Sequence, residues 1–151
     1  MGQTEQPAPR NKHVFVIDGS VDILSMIREL LQDERYNVTT TNFVPRTWEQ
    51  IAGLQPDLLM VDLVAGYRVG WDLLERLQLE TLTRNIPVIV FSTDAKLLRR
   101  AEQQADRFGG QRFIIKPFDV DELLAAVNEL VGTAESGDPS NDEPANGTFL
   151  A

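Results

Sequence analysis

Five short apolar runs alternate with segments of helical periodicity, and this alternation constrains the fold more than any other feature of the chain. Four of the runs are continuously apolar, which is typical of strands covered on both faces in a parallel sheet. The second run is more polar and rich in β-branched residues, which suits an edge strand. The runs occupy residues 14–17, 38–41, 58–61, 88–91 and 113–115.

The segments between the runs carry the 3.6-residue apolar stripe of helices that pack against a core. Pro45 can open the second helix in its first turn. The last helix begins with Asp119 and Glu122, spaced as a capping box, and stops at Gly132. The inward positions are Ile23, Leu24, Ile27, Leu30 and Leu31 in the first helix, Trp48, Ile51 and Ala52 in the second, Leu73, Leu74 and Leu77 in the third, Leu97, Leu98, Ala101, Ala105 and Phe108 in the fourth, and Leu123, Leu124, Val127, Leu130 and Val131 in the last.

Five strand–helix units within about 120 residues predict an α/β fold, a doubly wound five-stranded parallel sheet with helices on both faces. Right-handed crossovers leave two main strand orders, and the flavodoxin-like order 2-1-3-4-5 fits the edge-like second strand. In such sheets ligands bind at the carboxyl ends of the strands, at the switch point between strands 1 and 3.

Composition bounds the domain count and the compartment. We expect a polar disordered leader over residues 1–11, one folded domain over 12–132, and a disordered acidic tail over 133–151. The absence of cysteine excludes disulfides and thiolate metal sites, and the single histidine, His13, has no second imidazole for a metal site. A net charge of −9 argues against a nucleic-acid-binding surface. With no membrane-length apolar run and no signal peptide, we expect a cytoplasmic protein that does not bind a membrane.

Four of the predicted strands end in polar side chains: Asp18, Asp62, Ser92 and Lys116. Each residue alone is ordinary, because aspartates form turns, serines cap helices and lysines near loops are solvated. Together they would converge on one pocket. Two carboxylates can hold a hard cation such as Mg²⁺, and a lysine and a hydroxyl can take phosphoryl oxygens after an aspartate has attacked.

At these positions the sequence resembles the response-regulator receiver family, from residue 13 to about residue 131. Four motifs occur in the family's order and spacing, which is more specific than any one of them alone. Gly70 also stands eight residues after Asp62, where the family has a loop glycine. The motifs are VIDGSVDI at 16–23, PDLLMVDL at 56–63, IPVIVFS at 86–92 and FIIKPFD at 113–119.

The resemblance implies roles for the acidic residues. Asp62 matches the phosphorylated aspartate, and Asp18 matches a residue of the acidic pocket that binds Mg²⁺. The backbone carbonyl of Val64 would be a further metal ligand. Because only two carboxylates are present, we expect Mg²⁺ to bind weakly.

The resemblance also implies a switch and its partners. Lys116 matches the lysine that pairs with the phosphoryl group, through a lysine–proline bond that is cis in the family. Ser92 matches the hydroxyl that follows the phosphoryl group, and Phe113 occupies the aromatic switch position. We expect the Phe113 ring to be mostly buried in the unphosphorylated protein. A histidine kinase or a phosphotransfer protein would supply the phosphate, and a downstream protein would bind the face of the fourth strand, fourth helix and fifth strand.

Four residues depart from the family pattern. Gly19 stands where a second metal-binding acid is usual, Gly66 where proline is usual, and Thr93 where a smaller residue usually lets phosphodonors approach. At the position of Phe113 the family often has tyrosine.

Two functions therefore stay open. The first is a stand-alone phosphorylation switch that is not an enzyme beyond self-dephosphorylation. The alternative is a pseudo-receiver, a docking module with weak or absent phosphorylation, which Gly19 makes credible. A hydrolase using Asp62 is disfavoured because the first loop lacks an Asp-x-Asp pattern. An FMN protein is disfavoured because no phosphate-cradling loop follows the first strand.

Overall fold

A computed structural model, which describes residues 11–43 and 45–132, contains one parallel sheet of five strands. The strands are β1 (His13–Ile17), β2 (Asn37–Thr41), β3 (Leu58–Asp62), β4 (Val88–Ser92) and β5 (Arg112–Ile115). The helices are α1 (Val21–Asp33), α2 (Thr47–Leu54), α3 (Val69–Leu79), α4 (Ala95–Gln103), α5 (Ala105–Phe108) and α6 (Val120–Val131). The predicted leader and tail lie outside the described residues, apart from Asn11.

The strand order is β2-β1-β3-β4-β5, as the sequence pattern predicts. The apolar residues of the three interior strands are at most 5% exposed, because helices cover both faces of the sheet. One core contains residues of α2, α3, α4 and α5, and the other contains residues of α1 and α6. Every side chain predicted to face inward is buried or half-buried.

The fifth strand differs from its prediction as a strand covered on both faces. Only Ile114 is buried in β5, while Ile115 is 40% exposed. The reason is position, since β5 is the last strand of the sheet and has β4 as its one neighbour. A short apolar run does not distinguish an interior strand from an edge strand whose outer side chains remain in water.

Two helix boundaries also differ from the prediction. Pro45 does not open α2, because Arg46 has a left-handed φ of 74° and the helix begins after it, at Thr47. The predicted fourth helix is broken at Gln104 into α4 and α5. The break lets Phe108 pack edge-on against the Trp71 ring of α3, with the ring centroids 4.8 Å apart. Tertiary packing thus decides where this helix ends.

The capping box of the last helix is formed only in part. Asp119 precedes α6 and its carboxylate accepts from the backbone N–H of Asp121, at 3.0 Å, rather than from that of Glu122. The helix ends before Gly132, as predicted, with Gly132 at a φ of 79°. None of the helices in residues 11–43 and 45–132 combines the length and apolar character that a membrane crossing requires.

Gly70 lets α3 approach the end of β3. A Cβ atom at this position would lie 2.8 Å from Leu63 Cδ2 and 2.9 Å from the Asp62 carbonyl oxygen, closer than atoms can pack. The second of these atoms belongs to backbone and cannot rotate away. The helix therefore packs against the strand that carries Asp62 only with glycine here.

We predict that Gly70→Ala lowers the free energy of unfolding by roughly 1–3 kcal/mol, because the added methyl group overpacks this contact. Gly53→Ala in α2 is the matched control, since a Cβ there meets nothing within 4 Å. That variant should be more stable by about 0.5–1 kcal/mol, the usual gain from replacing a helical glycine. Urea unfolding measures both, and equal effects of the two substitutions would contradict the close contact at Gly70.

Candidate functional site

Two buried carboxylates lie side by side at the carboxyl edge of the sheet. Asp18 follows β1 and Asp62 ends β3, and the register pairs Ile17 with Val61 one residue earlier in each strand. Asp18 is 1% exposed and Asp62 is 4% exposed. The fold thus places two acids together at the switch point of the sheet, where the strand order reverses.

Lys116 directly follows β5, on the far side of β4, and bridges these two carboxylates. Its Nζ lies 2.9 Å from Asp18 Oδ2 and 2.9 Å from Asp62 Oδ1, and its side chain is 8% exposed. The lysine side chain also passes the Phe91 ring of β4, whose centroid lies 4.8 Å from Nζ. The following bond, Lys116–Pro117, is cis. One ammonium therefore neutralises much of the charge of two acids.

Burial raises the pKa of Asp62 to about 6, and the negative charge of Asp18 adds to this effect. The hydrogen bond and the positive charge of Lys116 act in the opposite direction but do not cancel it. For Lys116, burial alone would lower the pKa, but the hydrogen bonds and charges of the two carboxylates raise it above its usual value. At neutral pH the pair is therefore an ammonium beside a carboxylate that is mostly ionised.

The loop after β1 holds Asp18 and leaves open space at Gly19. Asp18 Oδ1 accepts from the backbone N–H of Ser20 at 2.8 Å, and Ser20 caps α1 by accepting from the N–H of Ile23. A Cβ at Gly19 would meet nothing within 4 Å, and its φ lies outside the left-handed region. A Cβ atom at position 19 therefore meets no steric obstacle.

Ser92 is fully buried at the end of β4, and its hydroxyl is not directed at either carboxylate. The hydroxyl donates to the Leu63 carbonyl at 2.7 Å and accepts from the backbone N–H of Asp94 at 3.0 Å. The Asp94 carboxylate in turn caps α4 by accepting from the N–H groups of Lys96 and Leu97. One hydroxyl thus links the residue after Asp62 to the start of α4.

Phe113 has most of its surface covered, as expected, although it is not fully buried. Its ring packs against the core formed with α2, α3, α4 and α5, and a Cβ at Gly110 would lie 2.8 Å from Phe113 Cζ. The ring therefore depends on a glycine beneath it. Phe113 lies on the edge strand β5 and keeps some exposure to solvent.

The donor atoms at this edge fit a magnesium ion. Mg²⁺ is usually bound through one or two carboxylates together with waters, and Asp18 and Asp62 supply two. The Val64 carbonyl oxygen is engaged at 3.2 Å by the N–H of Tyr67, and a carbonyl has a second lone pair for another partner. In the part of the chain that the structure describes, no three acidic or histidine side chains converge on a point. An ion here would have to share the two carboxylates with Lys116.

The model of the response regulator receiver domain matches residues 14–128. The chain belongs to this family. Its fold agrees with that of the Vibrio cholerae chemotaxis protein CheY4, with a TM-score of 0.70 over 80% of this chain and 98% of that one, at 19% identity. At that identity the likeness concerns the fold alone.

The curated relatives are proteins of different lengths that each contain a region similar to this chain. The two-component response regulator ORR3 of Oryza sativa subsp. indica is 26% identical over 129 residues, 83% of this chain and 93% of the relative. The 3',5'-cyclic-nucleotide phosphodiesterase regA of Dictyostelium discoideum is 31% identical over 130 residues, 85% of this chain and 16% of the relative. The chain spans 48% of RpaA of Synechocystis, a DNA-binding dual master transcriptional regulator, to which it is 28% identical over 118 residues. The chain therefore covers most of ORR3 but less than two thirds of the length of regA and of RpaA.

The receiver site contains features that the sequence pattern did not reveal. The Ser92 hydroxyl donates to a backbone carbonyl oxygen, so no residue type in the sequence predicts its acceptor. Gly66 has a φ of 85°, a value that proline cannot adopt, so the loop after Asp62 follows a path closed to the residue usual in the family. The sequence shows the spacing of Gly70 from Asp62 but not the close approach of Gly70 to the Asp62 carbonyl.

We predict that the pocket makes the protein less stable as Asp62 ionises. Its pKa is about 6 in the folded protein and 3.8 in the reference state, so the folded protein binds this proton more tightly. The contribution of this proton to the free energy of unfolding is fully present below pH 3.8 and is lost as the pH rises through about 6. The difference corresponds to roughly 3 kcal/mol in the free energy of unfolding.

Asp62→Asn removes the ionisation, so this variant should unfold at a higher temperature than the parent well above pH 6. Below pH 3.8 the two proteins should unfold at similar temperatures. Glu29→Gln, an exposed change within α1, serves as the control and should follow the parent at both pH values. A stability gain for Asp62→Asn that does not depend on pH would contradict the raised pKa.

Proposed function

We propose that the protein is a phosphorylation-controlled switch whose phosphoacceptor is Asp62. The observation that carries the proposal is the Lys116 ammonium, 2.9 Å from Asp62 Oδ1 and 2.9 Å from Asp18 Oδ2 at the carboxyl edge of the sheet. An ionised carboxylate is a nucleophile, and a neighbouring ammonium can pair with the phosphoryl oxygens that it acquires. A pKa of about 6 leaves Asp62 mostly ionised at neutral pH.

In the proposed reaction an oxygen of Asp62 attacks phosphorus, and the phosphorus–nitrogen bond of a phosphohistidine breaks. The donor is a histidine kinase or a phosphotransfer protein, whose imidazole leaves. Lys116 keeps the acceptor oriented and then pairs with the new phosphoryl group. Mg²⁺, held by Asp18, Asp62 and the Val64 carbonyl, would supply positive charge to the phosphoryl oxygens. The protein acts as phosphoacceptor and not as an enzyme, apart from loss of its own phosphate.

The proposed switch acts through Ser92. To donate to a phosphoryl group on Asp62, the hydroxyl must leave the Leu63 carbonyl, and the Asp94 N–H loses its acceptor. Because Asp94 caps α4, the start of that helix would shift. Phe113 would then move inward on the neighbouring strand. The β4–α4–β5 face is accordingly the proposed binding surface for a downstream protein, and nucleic acid and membranes are not proposed as partners.

We predict that the parent gains the mass of one phosphoryl group from phosphoramidate in the presence of Mg²⁺. Phosphoramidate contains the same phosphorus–nitrogen bond as phosphohistidine. Asp62→Asn keeps the size of the side chain and removes the nucleophile, so it should gain none. Asp72→Asn, an exposed change in α3, should react like the parent. Phosphate on the Asp62→Asn protein, detected by intact mass, would refute the assignment.

The pseudo-receiver is the second candidate, and Gly19 is the observation that favours it. The pocket offers two carboxylates where the family commonly offers three. Lys116 already pairs with both of them, so a metal gains less from entering. A protein with this pocket could keep its docking surface without efficient phosphorylation. A cytoplasmic location is part of both proposals.

We predict that Gly19→Asp tightens Mg²⁺ binding by at least about tenfold, because one more carboxylate ~4 Å from a divalent ion contributes a few kcal/mol before desolvation. The open space and ordinary φ at Gly19 leave no steric obstacle. Gly19→Asn is the matched control, with the same size and no charge. The measurement is a Mg²⁺ titration of the three proteins side by side. If the parent binds Mg²⁺ as tightly as a well-folded Gly19→Asp protein, Gly19 does not limit the site.

A further inference from the structure

A groove opens between the loop before α2, the helix α2 and the helix α3. Its volume is about 210 Å³, and its apolar lining is provided by Phe43, Trp48, Val69 and Leu73. Phe43 and Trp48 are half-buried, and Val69 is 48% exposed. An apolar cavity of about 150 Å³ can bind benzene, so this groove has room for one aromatic ring.

The charges around the groove balance, although the chain as a whole has a net charge of −9. Its lining includes two arginines, Arg46 and Arg76, and two acids, Glu49 and Asp72. Arg76 lies 3.6 Å from Glu49 and stacks over the Trp48 ring, 4.1 Å from its centroid. Arg46 has no ion pair among the described residues. This face is therefore a place where another acidic molecule of the same kind is not repelled.

An exposed aromatic residue is close in sequence to the groove. Tyr67 is 66% exposed, and within the described part of the chain its phenol makes no hydrogen bond. Tyr67 lies two residues before Val69, which lines the groove. A tyrosine contributes a large contact area at low entropic cost, and such residues are enriched at interfaces.

We propose that two copies of this chain associate about a twofold axis, each inserting Tyr67 into the groove of the other. A twofold interface needs both halves of the contact on the same patch, and Tyr67 is close enough in the chain to Val69 of the groove to share that patch. The rim carries charges of both signs, so Arg46 of one copy can join the Glu49–Arg76 or the Asp72–Arg68 ion pair of the other. A strongly acidic or strongly basic partner would meet like charges at the same rim.

The association would act on the phosphoacceptor loop. Tyr67 lies between Asp62 and α3, and its N–H holds the Val64 carbonyl. A partner copy that binds the Tyr67 side chain would therefore restrain the loop that contains the Val64 carbonyl, the proposed metal ligand. The association itself does not depend on phosphorylation, so Asp62→Asn should associate like the parent.

Sedimentation of the full chain from micromolar to near-millimolar concentration tests the proposal. The average mass should rise from 16.9 kDa toward twice that value. Tyr67→Ala should weaken the association at least about tenfold, as the loss of a buried aromatic anchor does. Leu79→Ala removes a side chain that is 70% exposed elsewhere on α3, and it should have no effect.

A second variant alters the groove rather than the ring. Val69→Glu places a carboxylate in the groove and an acid in the first turn of α3, where it favours the helix. This variant should therefore remain folded and lose the association as Tyr67→Ala does. A parent that stays monomeric at the highest concentration would overturn the proposal, as would association that both variants leave unchanged.

Cross-linking identifies the face, because the chain contains no cysteine. Equal amounts of Arg68→Cys and Glu49→Cys proteins, mixed with a short bismaleimide, should give a cross-linked pair. A mixture of Arg68→Cys with Asn128→Cys on α6 should give none. Cross-linking of the second mixture in preference to the first would place the contact on another face and overturn the proposal.

Discussion

The ion pairs of Lys116 with Asp18 and Asp62 are the interaction on which the rest of the site depends. Two adjacent buried carboxylates repel each other and cost free energy unless a positive charge compensates them. The compensating ammonium comes from β5, which is separated from β3 by β4, so a long side chain is needed to reach them. The Phe91 ring lines its path. Much of the negative charge of the pocket is thereby compensated.

Two contacts connect this pocket to the helices around it. Toward α3, the Asp62 carbonyl touches the Gly70 position, so the helix packs closely against the strand. Toward α4, Ser92 joins the Leu63 carbonyl to the residue that caps the helix. The residues at the end of β3 are thus in contact with two helices, each through a single residue. The groove beside α2 and the β4–α4–β5 face are the surfaces that adjoin these helices.

Much of the fold could be predicted from the sequence because buried parallel strands keep continuous apolar runs and helices keep their stripe. The break at Gln104 could not, since it follows from the contact of Phe108 with Trp71, which are distant in sequence. The start of α2 was missed because the left-handed backbone of Arg46 has no signal in residue type. The exposure of Ile115 depends on which strand lies at the edge of the sheet.

The site could be predicted as a set of residue types at strand ends, but not as a set of contacts. Strand order alone brings Asp18 beside Asp62, and the sequence pattern predicts that order. The partner of the Ser92 hydroxyl could not be inferred, because a hydroxyl rotates to whichever acceptor its neighbours present. The open space at Gly19 could not be inferred either, because it depends on the loops around it.

The central claim is that Asp62 forms an acyl phosphate, and reduction by borohydride tests it most directly. Borohydride reduces an acyl phosphate to the alcohol, which converts the modified aspartate to homoserine and leaves free carboxylates intact. After reaction with a phosphodonor and Mg²⁺, peptide mapping should find homoserine at position 62 and at no other position. Homoserine at another aspartate, or phosphate on a hydroxyl with every aspartate intact, would contradict the account.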